Sequence, residues 1–230
     1  MRKLLLLLSV AAAARADAQT YVIEVGQSLN DVLRQNDLFK YSTFRPGIVR
    51  FRDGYQKPTL LNYTYYDASL LFIGPKKDTL ALSGLEELEL ATVGTDTFYF
   101  HDGVLELLAS APGGRLLQRS SLRQEGSTKA AGYGMYDENA ASESLNYLQA
   151  ANTVHKVPVT NRTVIRRQGE VFIWPDDAAA PLAASRKALE KAFPDRKAAI
   201  AAYLRAHSVD FHNPAEVAAI FAEAAGIASN

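Results

Sequence analysis

Residues 47–109, GIVRFRDGYQKPTLLNYTYYDASLLFIGPKKDTLALSGLEELELATVGTDTFYFHDGVLELLA, alternate short apolar runs with turn dipeptides, and their reading decides the fold. Val49 and Phe51 share strand parity against Arg50 and Arg52, and Asp53-Gly54 closes the run, the pattern of a half-buried strand ending in a turn. Leu61, Tyr63 and Tyr65 then alternate with Asn62, Thr64 and Tyr66 as far as Asp67-Ala68-Ser69. A hairpin leads from there into Leu70-Leu71-Phe72-Ile73, which Gly74-Pro75 ends. Further runs at 79–82, 87–93, 95–101 and 104–109 are separated by turn residues such as Gly94 and Asp102-Gly103. Strands every ~8–12 residues, with little room for crossover helices, predict an antiparallel meander rather than a parallel βαβ sheet. Most acids in this stretch are read as turn formers: Asp bonds its own backbone, and Gly takes the positive φ of a tight hairpin.

The chain of 230 residues is long enough for a real core, and a hydrophobic content of 48% places it with globular rather than disordered proteins. Formal charge is zero, with no basic run, which removes nucleic acid from the expected partners. Residues 1–18 read as a secretory signal peptide. Arg2 and Lys3 precede an apolar run over residues 4–14, and Ala16-Asp17-Ala18 supplies a small-x-small cleavage site, with cleavage after Ala18. As a helix that run spans about 16 Å, roughly half of a bilayer's hydrocarbon core. The mature chain is expected to be exported without a transmembrane helix and to carry about −2 net charge, since the leader removes Arg2, Lys3, Arg15 and Asp17. There is no cysteine, so disulfides, thiolate catalysis and cysteine zinc sites are absent. An exported domain without bridges points to a bacterial periplasm or cell surface.

The body is predicted over residues 19–123, opening with a strand at 21–25 and a short helix capped by Ser28 with Asp31 three residues on. Residues 115–123 read as one more strand, long and at an edge. Residues 124–153, rich in Gly, Ser, Ala and Asn, are a linker, an ordered binding loop, or the site of a short helix over 140–151. Residues 154–177 are expected to return to the sheet as a hairpin turning at Gln168-Gly169. Residues 178–230 form three short helices. The first holds Leu182, Leu189, Ala192 and Phe193, and the last is capped by Asn213 with Pro214 at its first position. The predicted class is therefore α+β: an antiparallel meander with strands enough to curl towards a half-barrel, followed by a small helical group.

No catalytic constellation is legible. His101, His155, His207 and His212 lack a metal-ligand spacing, so no metal or cofactor is expected. No Gly-x-Ser-x-Gly elbow occurs, and Gly132-Tyr133-Gly134 lacks the Lys of a phosphate loop. Asp53, Asp67, Asp78, Asp96 and Asp102 could furnish a two-carboxylate hydrolase, but nearly all sit where a hairpin needs a turn. The aromatics are more suggestive. Tyr66, Tyr99 and Trp174 fall among strands, where they pack across the sheet or present an outer platform to a protein or a sugar. Tyr133 and Tyr136 join them as candidates within the long connection.

Short motifs carry a resemblance. Phe39-Lys40-Tyr41, the run 49–54, Leu61-Asn62-Tyr63, Gly94-Thr95-Asp96-Thr97-Phe98, Phe193-Pro194-Asp195-Arg196 and Val209-Asp210-Phe211 resemble those of a family of uncharacterised exported proteins of Gram-negative bacteria. The resemblance implies an envelope location and a β body with a helical tail, and it carries over no functional residue. The expectation is an exported, non-catalytic protein that binds another envelope protein or, alternatively, a glycan.

Overall fold

At the first hairpin the turn residues behave as their chemistry requires. Gly54 takes φ +90, and the Asp53 carboxylate accepts the Tyr55 N–H at 2.8 Å. The computed structural model describes residues 20–131, 135–137 and 159–227. Ahead of and around this hairpin come β1 (Thr20–Ile23), α1 (Leu29–Val32), α2 (Gln35–Leu38), β2 (Arg45–Phe51) and β3 (Gln56–Thr64). The chain continues through β4 (Ser69–Ile73), β5 (Thr79–Ala81), β6 (Leu88–Val93), β7 (Asp96–Phe100), β8 (Val104–Ala111) and β9 (Gly114–Ala131). Then follow β10 (Met135–Asp137), β11 (Arg162–Pro175), β12 (Leu182–Ala183), α3 (Arg186–Ala192), α4 (Lys197–Ala206) and α5 (Pro214–Ala224). The result is a β-rich α+β protein: one antiparallel sheet with three helices near its C-terminal end.

The sheet order is β1-β11-β9-β8-β7-β6-β2-β3-β4-β5, with β10 on β9 and β12 on β11. The predicted single meander is thus two. Strands β2 to β5 form one, and β6 then returns to the free edge of β2 before β6 to β9 form the second. Three further expectations are corrected. Strand β9 is not at an edge, because β8 and β11 flank it, and it runs past residue 123 to Ala131. The remainder of the 124–153 connection, apart from β10, lies outside the described residues. There is no hairpin at Gln168-Gly169, since β11 runs unbroken through both. Gly169 lies inside the strand, where a Cβ would meet the movable end of the Gln118 side chain at 2.5 Å and Pro214 of α5 at an ordinary 3.5 Å. Finally, Leu182 pairs in β12 with Ile173 instead of starting the first helix.

Parity sets two faces. On the inner face Val49, Leu61, Tyr63, Val93, Phe98, Phe100 and Val104 are buried in one cluster. A second cluster joins Leu116 of β9 and Val171 and Ile173 of β11 to the helices, with Phe193 and Phe221 edge to face at 5.2 Å. A third seats Tyr21, Ile23, Leu29 and Leu33 on Leu122 and Ile165. The predicted cap of the first helix forms, with the Asp31 carboxylate accepting the Ser28 N–H at 2.7 Å. At α5 the Asn213 side chain accepts the Ala215 N–H at 3.1 Å, and Val209 and Phe211 pack into the helical cluster as their position between α4 and α5 requires. Among the described residues no helix is long and apolar enough to cross a membrane.

The β8–β9 turn docks the helices tightly. Gly113 has φ +111, and a Cβ there would lie 2.6 Å from the Ala192 carbonyl oxygen. Gly113→Ala is expected to cost about 2–4 kcal/mol in urea unfolding, combining backbone strain with overpacking. Gly26, with φ +87 and open space around its Cβ position, is the control and should lose only the strain part, about 1 kcal/mol.

Candidate functional site

The segment between α2 and β2 extends the sheet beside the end of β3. Lys40 donates its N–H to the Tyr63 carbonyl at 2.9 Å, Tyr65 donates to the Leu38 carbonyl at 2.8 Å, and Phe39 bridges Thr64. The Asn62 side chain fills the irregularity, accepting the Tyr41 N–H at 3.2 Å and donating to the Tyr41 carbonyl at 2.9 Å. This scaffold aims Lys40 at two strands. Its ammonium is ion-paired with Glu106 of β8 and lies 3.4 Å from Oδ2 of Asp96 in β7. The Tyr41 hydroxyl donates to that same Oδ2 at 2.5 Å.

Burial, the Lys40 attraction and the second carboxylate act together on this group. Burial raises the Glu106 carboxyl above the ordinary range; Lys40 opposes that rise and Asp96 adds to it. For Lys40, burial disfavours the charge, but Glu106 and then Asp96 outweigh it, leaving the ammonium held more firmly than usual. Burial, followed by the bond to Asp96, pushes the Tyr41 phenol up strongly. Each polar group finds its partner within the cluster, so its chemistry is that of a latch between the N-terminal segment and the second meander. Of the five aspartates weighed as acids, Asp96 is the one that joins a second carboxylate, and that carboxylate, Glu106, was not among the candidates. One signal could have found it: Glu106 shares parity with buried Val104 and pairs with buried Phe98, a charge on an inward position.

On the opposite face the structure brings Tyr99 and Trp174 together, ring centroids 6.0 Å apart and edge to face. Strand order explains it, since β7 and β11 are separated only by β8 and β9. His101 adds a third ring 5.8 Å from Trp174. The guanidinium of Arg115 lies 5.2 Å from the Tyr99 ring and 5.3 Å from Trp174. Arg119 lies 5.4 Å from Phe172 and donates to the carbonyls of His101 and Asp102. Leu105, paired with Tyr99, and Leu117, paired with Phe172, share this face by register and are fully buried. The aromatic and arginine side chains therefore form a half-buried covering layer.

Tyr66 is elsewhere. It packs against the Tyr21–Ile165 cluster, and burial, then Asp67, pushes its phenol up to about 12. Tyr133 lies outside the described residues. Tyr136 pairs through its backbone with Ala130, and its side chain lies outside the description. Arg115, Arg119 and His101 were not singled out as site residues by sequence reading; the four-residue repeat Arg115, Arg119, Arg123 on one strand face was the available signal. Comparison with family models, with curated proteins and with solved structures gives no match.

Proposed function

We propose that this chain is an exported, non-catalytic protein of the bacterial envelope that binds another envelope protein through the face around Tyr99 and Trp174. The observation that carries the reading is the packing of Trp174, Tyr99 and Arg115 into one half-exposed patch. Trp, Tyr and Arg are the side chains that dominate protein interfaces, because each combines large contact area with a polar edge. A glycan would need open ring faces, whereas Arg115 stands over both rings. The leader-like residues 1–18 and the lack of cysteine support export. A half-barrel curl belongs to the same proposal. It is supported by the Leu122 N–H donating to the Tyr65 carbonyl at 2.6 Å and the Tyr63 hydroxyl donating to the Ser120 carbonyl at 2.7 Å. These bonds join β9 to the end of β3, strands that stand well apart in the sheet order.

The test is affinity capture of tagged protein from crosslinked source cells, wild type beside Trp174→Ala, with mass spectrometry of the co-purifying proteins. Enrichment of one envelope protein, lost at least tenfold in Trp174→Ala at unchanged circular dichroism, is the expected result. Equal capture by both proteins would move the binding surface away from this face. Retention on a glycan array in place of a protein partner would replace the reading with a carbohydrate module.

A further inference from the structure

We infer that Arg115 is the receptor on this face for a carboxylate of the partner protein, an aspartate or glutamate side chain. The inference rests on the reading of the Tyr99–Trp174 face as a binding surface and names the chemistry of what it binds. The arginines nearby are committed. The two terminal nitrogens of Arg119 donate to the carbonyls of His101 and Asp102 and to Glu170. Arg123 lies 3.5 Å from Glu170, and Arg166 is bonded to Glu125 at 2.9 Å. Arg115 differs. Among the described residues its side chain donates no hydrogen bond, and its ion pair, to Oδ1 of Asp176 at 3.6 Å, is beyond hydrogen-bond distance. Asp176 is itself occupied with the β8–β9 turn, where its Oδ2 accepts the Gly113 N–H at 2.9 Å.

What holds Arg115 is aromatic. Its guanidinium is fixed by the rings of Tyr99 and Trp174, and Trp174 is in turn anchored by its indole N–H donating to the Ala178 carbonyl at 2.9 Å. The Arg115 side chain keeps 30% of its surface exposed. A planar fork of donors, already immobilised by stacking and engaged only in one long ion pair, is arranged to take a carboxylate through two parallel bonds with little further ordering. An ammonium at this position would lack that fork. A protein carboxylate is favoured over a sugar acid because the ring faces a pyranose would stack on are covered by Arg115 itself.

Trp174 is the only tryptophan in the chain, so its fluorescence reports this site alone. Titrating the full chain with poly-L-glutamate is expected to give a saturable change in Trp174 emission that weakens as salt is raised. The response should weaken at least tenfold in Arg115→Gln, survive in part in Arg115→Lys, and be unchanged in Lys57→Gln on the distant β3. No saturable response, a response that persists in Arg115→Gln, or an equal response to poly-L-lysine would overturn the inference. So would binding of polygalacturonate in place of poly-L-glutamate, which would assign the carboxylate to a sugar. In the capture experiment, loss in Trp174→Ala with retention in Arg115→Gln would leave the face standing and sink the carboxylate; retention in both would sink the face.

Discussion

Lys40→Ala is expected to destabilise the protein by about 2–4 kcal/mol, between the ranges for exposed and for fully buried pairs that lose one partner. The substitution strands two carboxylates near one another, Glu106 with 17% and Asp96 with 31% of its side-chain surface exposed. Removing the ammonium also removes what opposes the rise of the Glu106 carboxyl, so the variant should take up a proton there at higher pH than wild type. The check is urea unfolding of Lys40→Ala beside Lys40→Met/Glu106→Leu. The double variant replaces the pair by apolar volume and should recover most of the loss, while Asp96 keeps its bond from Tyr41. A Lys40→Ala protein within 1 kcal/mol of wild type would show that the cluster behaves as a surface ion pair, and the latch would be abandoned.

That cluster also marks where sequence reading ends. Hairpins were legible because Asp53-Gly54, Gly94 and Asp102-Gly103 are local signals, each sufficient to place a turn, and α5 was legible from Asn213-Pro214 for the same reason. Strand order was not, because the return of β6 to the edge of β2 is fixed by burial of Val49 and Ala91 against each other and not by any residue in the intervening turn. Gly169 was misread since a glycine inside a strand and a glycine in a turn look alike in a sequence; only the continuous pairing of β11 with β9 tells them apart. The pairing of Tyr99 with Trp174 depends on β9 and β8 lying between their strands, and hence on the same long-range order. Tyr66, three residues from Tyr63 but past the end of β3, followed the turn into a different cluster.

Alkali should unfold this protein over a narrow range above pH 10, because several of its phenols are held protonated by the fold. Burial, then Asp37, pushes Tyr21 up to about 12, and burial with Asp67 does the same for Tyr66. Tyr41, Tyr63 and Tyr65 are also raised, each foremost by burial. In the unfolded chain these phenols ionise near pH 10. A group raised on folding contributes stability that is complete below its unfolded value and is lost as pH rises through its folded value. Each such phenol therefore removes at most about 1.4 kcal/mol per pH unit above 10. Acting together they draw down a stability of about 5–15 kcal/mol as pH rises above 10. Lys40 has the same sign, since Glu106 and Asp96 overcome its burial and hold its proton. Glu106, also raised, adds stability towards acid. Far-UV circular dichroism and phenolate absorbance followed on one sample through this range give the test. A second stage of phenolate absorbance should appear together with loss of the β-sheet signal. Complete ionisation near pH 10 with the sheet signal intact would mean that these phenols face solvent, and the burial of Tyr21, Tyr41 and Tyr63 would have to be withdrawn.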